Sequence, residues 1–133
     1  MIVVDTNIIS YSYISGERSQ QAEQLLSADH HWNAPILWRS EFRSVLSQYL
    51  RNNHLAFDDV LVILKQAEEL LTDNEFEVSS AHIMRLVDSS NCSSYDCEFV
   101  ALAQHLNVPL VTEDKKILRE FPCLAKSLNS YFD

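Results

Sequence analysis

Glycine is almost absent: Gly16 is the only one among 133 residues. Phosphate-binding loops and dinucleotide fingerprints need several glycines at close spacing, so both are excluded. Basic residues are scarce as well, with ten Lys and Arg against nineteen Asp and Glu and a formal net charge of −9. That balance argues against binding nucleic acid through a basic footprint alone. It leaves open a nuclease whose acidic pocket is neutralised by metal ions. No apolar run approaches the roughly 20 residues that a membrane helix needs. No signal-peptide pattern follows Met1 either, because three apolar residues run straight into an acid. The three cysteines, Cys92, Cys97 and Cys123, are an odd number at no metal-like spacing. They fit reduced thiols in a cytoplasmic protein.

What is present is a globular composition, 47% hydrophobic, long enough for one domain spanning 1–133. Ile2–Asp5 reads as a short buried strand leading into a helix over Asn7–Tyr13. Ser19 starts a second helical stretch through Leu26, and His31–Ala34 a second strand. A helix over Ile36–Arg51 carries Trp38, Phe42, Val45, Leu46 and Tyr49 on one stripe, and another covers Phe57–Leu71. Glu75–Val78 alternates like a strand, and Ser79 or Ser80 caps a helix reaching Val87. Ser93 and Ser94 are candidate caps for a helix ending near Leu106. A strand over Val108–Thr112, a short helix over Asp114–Glu120 and an edge strand over Leu124–Leu128 complete the chain. Alternating strands and helices of this kind predict an α/β fold, a parallel sheet covered by helices on both faces.

Four acids stand where an acid is awkward. Asp5 ends the first strand and Asp114 follows the strand that closes at Thr112, so both lie on the carboxyl rim of the sheet, where such folds bind ligands. Glu41 is in line with Leu37 and Val45 on the inward side of its helix. Asp96 aligns with Val100 and Ala103 in the first turn of its own helix. Singly, each has a structural explanation, as a cap, a complement to the helix dipole or a partner for a buried arginine. Together they are harder to explain so, because a buried carboxylate is unfavourable unless it is paired or bound to metal. Arg39 and Arg43 lie two positions either side of Glu41, about 200° around the helix, and point away from its face. A cluster of hard oxygen ligands without Cys or suitably spaced His selects Mg²⁺ or Mn²⁺ over zinc.

The segments MIVVDTNII, SEFRSVL and SSYDCEFVALAQHLNVPLVTEDKKI resemble the PIN domain family, the nuclease fold of VapC-type toxins in toxin–antitoxin pairs. The resemblance covers nearly the whole chain. It implies a sheet of about five parallel strands between helices, pairing as a homodimer, cleavage of RNA within the chain, and a small antitoxin partner encoded beside it. Carried over, the family's acidic quartet falls on Asp5, Glu41, Asp96 and Asp114. Asn7, Thr112 and Ser94 match polar positions lining its site. On this reading Mg²⁺ or Mn²⁺ is the cofactor and RNA the substrate, with Asp5 and Asp96 as direct ligands. Glu41 and Asp114 complete a second ion or position the water. Glu113 beside Asp114 leaves open which acid faces the metal, and Lys115 and Lys116 are candidates for the RNA backbone.

Other functions fit less well. A phospho-acceptor domain wants a pair of acids after its first strand, and a haloacid-dehalogenase-type phosphatase wants Asp where Asn7 stands. The remaining alternative is a catalytically weak PIN domain acting as a protein-binding or scaffold module. Trp38, Phe42, Tyr49 and Phe57 together exceed what one small core consumes, which, with the resemblance, predicts a homodimer.

Overall fold

A computed structural model describes residues 1–133. The expected parallel sheet is present, with five strands: β1 (Ile2–Val4), β2 (Trp32–Pro35), β3 (Glu75–Phe76), β4 (Leu110–Val111) and β5 (Ala125–Lys126). Their order is β3-β2-β1-β4-β5 and every pairing is parallel. The flanking helices are α1 (Thr6–Tyr13), α2 (Ser19–Ala28), α3 (Trp38–Arg51), α4 (Phe57–Leu70), α5 (Ser80–Ser89), α6 (Ser94–Leu106), α7 (Lys115–Glu120) and α8 (Leu128–Tyr131).

β1 is the central strand, which explains its unbroken apolar run. Ile2, Val3 and Val4 are all buried, as expected for a parallel strand covered on both faces. Each such side chain contributes about 1.5–3 kcal/mol relative to an exposed one. α6 lies against β1, β2 and β4, and Cys97, Phe99, Val100, Ala101, Leu102 and Ala103 on it are buried. A helix apolar on nearly every side belongs inside. Its start is fixed by Ser93, whose hydroxyl accepts from the Asp96 N–H at 3.1 Å. The buried Cys92 and Cys97 flank that cap at the two positions of a hydrophobic staple. At its end Asn107 turns left-handed, φ 56°. The Asn107 and Val108 N–H groups donate to the Gln104 and Ala103 carbonyls, a Schellman closure that delivers the chain to β4.

Three sequence expectations need correction. Trp38 and Phe42 are fully buried in the monomer's own core, so they leave no surplus apolar surface. Tyr49 lines a cavity, and of the four aromatics only Phe57 is largely exposed. The expected edge strand over Leu124–Leu128 ends at Lys126, because Ser127 and Ser130 form a capping box that starts α8. The helix expected from Ile36 begins at Trp38, two residues later. No helix is long and apolar enough to cross a membrane. All three cysteines are free thiols.

Candidate active site

The register of the sheet builds the site. Val4 pairs with Val111, so the next residues, Asp5 and Thr112, leave the rim side by side. Asp5 caps α1, with Oδ1 accepting the Thr6 N–H at 2.8 Å. Its Oδ2 accepts the Thr112 hydroxyl at 2.6 Å and the Asn7 amide at 3.5 Å. The Thr112 oxygen in turn accepts the Asp114 N–H at 3.0 Å and the Asn7 amide at 3.5 Å. One hydroxyl proton given and two lone pairs filled exhaust its capacity, which fixes its direction. Asp114 caps α7 through Oδ1, leaving its second oxygen uncommitted by the cap.

Glu41 enters from the first turn of α3, and its Oε1 accepts the Thr6 hydroxyl at 2.7 Å. Asp96 enters from the first turn of α6. All four acids line one cavity of about 760 Å³, together with Thr6, Asn7 and Ser10.

The electrostatics of the cavity are unbalanced. Burial pushes the Asp5 carboxyl up to about 7, against the opposing bonds from Thr112 and Thr6, and the charges of Glu41 and Asp96 add to the rise. Burial also raises Glu41, opposed by the Thr6 bond, with Asp96 and Glu98 reinforcing it. Asp96 is raised by burial and then by the charge of Asp114, with Lys116 opposing. None of the four acids is in an ion pair. The Lys116 ammonium donates instead to the Asn91 carbonyl at 3.1 Å.

No three His, Cys, Asp or Glu side chains are gathered tightly enough in this arrangement to form a metal cage. In kind, however, the donors fit a hard divalent cation: they are carboxylate oxygens, Asp5, Glu41 and Asp96 are raised by burial and neighbouring charge, and none is in an ion pair.

Of the sequence candidates, Asp5, Glu41, Asp96, Asp114 and Asn7 line the cavity, and Thr112 is buried behind Asp5. Ser94 is not brought to the site: it is exposed and lies outside the lining, and its neighbour Ser93 is the helix cap. Glu113 is turned away from the acids. Its Oε1 pairs with Arg18 at 2.5 Å and its Oε2 accepts the Leu128 N–H at 2.7 Å, so Asp114 is the acid that faces the cavity.

Thr6, Tyr11 and Arg18 also line it without being sequence candidates, and so does Tyr49, which the sequence places on an apolar stripe rather than at the site. Helical phase carries the signal for two of them, since Tyr11 is one turn beyond Asn7 and Tyr49 two turns beyond Glu41.

Comparison with known proteins agrees with this architecture. Ribonuclease VapC3 from Pyrobaculum aerophilum is 28% identical over 127 residues, covering 92% of this chain and 96% of that protein. The crystal structure of PAE2754 from the same organism superposes with a TM-score of 0.78 at 14% identity, covering 98% of this chain and 92% of the other. A toxin–antitoxin complex from Klebsiella pneumoniae contains a chain that matches at a TM-score of 0.71 and 19% identity, over 96% and 98% of the two chains. The family model described as PIN domain matches residues 2–122, a span that includes Asp5, Glu41, Asp96 and Asp114, and the chain therefore belongs to the PIN domain family.

Proposed function

We propose that this protein is an Mg²⁺- or Mn²⁺-dependent endoribonuclease that hydrolyses RNA phosphodiester bonds, acting as the toxin of a type II toxin–antitoxin pair. The observation that carries the reading is Asp5, 8% exposed, in a cavity shared with three further acids and without a cationic partner. The name of the similar ribonuclease and the toxin–antitoxin complex among the similar structures support it. A divalent ion, when bound, supplies Lewis acidity beside the phosphate and lowers the pKa of water.

The chain's own residues supply the rest. Asp5 and Asp96 would hold the ion, while Glu41 and Asp114 would hold a second ion or orient the attacking water. Thr112 and Asn7 keep the Asp5 carboxylate aimed by occupying Oδ2 from the side of β4 and α1. Burial raises the Asp5 carboxyl to about 7, so binding an ion there would displace the proton it holds below that pH.

The test is cleavage of structured RNA by purified protein with Mg²⁺ or Mn²⁺ and with EDTA, beside the Asp96→Asn variant. We expect metal-dependent cleavage by the wild type and a loss of roughly a thousandfold in the variant. Equal cleavage by both proteins overturns the assignment. RNA left intact under all conditions favours the scaffold reading. The same proposal includes a cytoplasmic location, an antitoxin partner and a homodimer. Exposed Phe57, Leu61 and Val62 on α4 support pairing of two copies; light scattering that gives a monomer near 15.3 kDa removes that part.

A further inference from the structure

The cavity extends past the four acids, and its lining changes chemistry there. Tyr49 lies eight residues beyond Glu41 on α3, about 12 Å further along the helix axis. Tyr11, on α1, and Arg18, in the connection to α2, line the same cavity. Arg18 is the one cationic side chain among all the lining residues. Its Nη1 is held by Glu113 at 2.5 Å, and Glu113 is itself held by the Leu128 N–H.

The guanidinium is thus anchored at one corner. Its remaining donors have no protein partner, and the side chain is 41% exposed. A planar fork fixed at one end with donors open at the other is an oxyanion receptor. The Tyr11 phenol is raised by burial and lies close enough to Arg18, Glu113 and Asp5 to respond to each, with no hydrogen bond of its own. It lines the same cavity as Asp5 and Arg18.

Charge gives this arrangement a purpose. Five acids line the cavity, the quartet and Glu17, and they repel a polyanion. Divalent ions held by the quartet would sit at the scissile phosphate, which leaves the next phosphate along the strand to a cation of the protein itself. We infer that Arg18, Tyr11 and Tyr49 form a nucleotide subsite beside the acids: the Arg18 guanidinium holds the phosphate next to the scissile one, and a base stacks on a tyrosine ring. This subsite rests on the ribonuclease reading.

Two variants separate the roles. Affinity for a labelled short single-stranded RNA is measured by anisotropy in the Asp96→Asn background with Mg²⁺, across a KCl titration. Arg18→Gln loses one phosphate contact, so the slope of log K against log salt falls by roughly 0.7. Arg18→Lys keeps the charge and the slope, and also guards against any destabilisation from leaving Glu113 unpaired. Tyr11→Leu weakens binding by roughly tenfold at every salt concentration and leaves the slope unchanged.

With Asp96 intact, Arg18→Gln and Tyr11→Leu raise KM for RNA cleavage more than they lower kcat. If the wild type cleaves RNA while the Arg18→Gln slope and the Tyr11→Leu affinity stay at parent values, the subsite is wrong and the nuclease reading stands. If the parent protein neither binds nor cleaves RNA, the reading beneath the subsite falls with it.

Discussion

Arg39 and Glu41 are two residues apart on α3 and serve opposite clusters of acids. On one side, Arg39 grips both oxygens of Glu75 at 2.6 and 2.7 Å and Glu68 at 2.6 Å, and the Trp38 indole donates to Glu75 at 2.7 Å. The Arg39 hydrogen bonds hold the Glu75 carboxyl below its ordinary range. On the other side, Glu41 joins Asp5, Asp96 and Asp114 with no cation, and the carboxyls of Glu41, Asp5 and Asp96 are raised. The residue types are the same, and the count of cations decides the outcome. The first cluster ties α3 to β3 and α4; the second disfavours its own ionised form, which is the charge imbalance that the proposed metal would relieve.

The largest contrast concerns pH. Asp5 titrates near 3.8 in an unfolded chain and about 7 in the folded one. Its contribution is therefore whole below pH 3.8 and is lost as pH rises through 7, a fall on the order of 4 kcal/mol. Most of that fall lies between pH 5 and 7, and raised Glu41 and Asp96 act in the same direction. Denaturant unfolding in EDTA is expected to give a clearly less stable protein at pH 8 than at pH 5. Saturating Mg²⁺ or Mn²⁺ restores about 2.7 kcal/mol at a hundred times Kd, and Asp5→Asn abolishes most of the pH dependence. Equal stability at the two pH values in EDTA removes the contrast.

The Arg39 cluster responds in the opposite sense. Arg39→Ala strands Glu75, whose side chain is 16% exposed, and is expected to cost about 2 kcal/mol at neutral pH. The cost is less than for a fully buried pair, because Arg39 is itself 32% exposed. Arg39 lies outside the cavity lining, so kcat per folded molecule stays at the wild-type value. Destabilised folding with unchanged turnover separates the two clusters; a collapse of kcat merges them.

The smallest effect sharpens the metal reading. Thr112→Val keeps the shape of a buried residue and removes the bonds to Asp5 and from the Asp114 N–H. A freed Asp5 carboxylate is expected to weaken Mn²⁺ affinity by about tenfold, read as a shift of the metal concentration that half-saturates the melting-temperature gain. An unshifted titration shows that Thr112 does not orient a ligand.

Much of the fold was legible because its signals are local. The buried run before Asp5, the helical phase of Glu41 against Leu37 and Val45, and the caps Ser79 and Ser93 each act over a few residues. That Asp5, Glu41, Asp96 and Asp114 meet at one cavity follows from acids that stand out against apolar periodicity; their role is the proposal above. What sequence did not reveal is long-range. The Arg18–Glu113 pair joins residues far apart in the chain, and nothing near either one announces the other. The apolar stripe that carries Trp38 fits a core or a dimer interface, and the packing of α3 against α1 and α4 selects the core. The strand β5 is two residues long, too short for alternation to mark its end, and Ser127, inside the expected strand, instead opens the capping box that stops it.

The position of β1 also dictates when the site can exist during synthesis. The Asp5–Thr112 bond spans 107 residues, and β1 finds its second neighbour only when β4 has been made. A nascent chain already carrying Asp5, Glu41 and Asp96 has an open edge on its central strand and lacks both Thr112 and Asp114. Loop closure over that separation is not costly in itself, so the delay is set by translation. On the ribosome, the proposed nuclease is an unarmed polypeptide until β4 is available, and a message broken before that point yields a strand edge seeking a partner rather than a partly active enzyme.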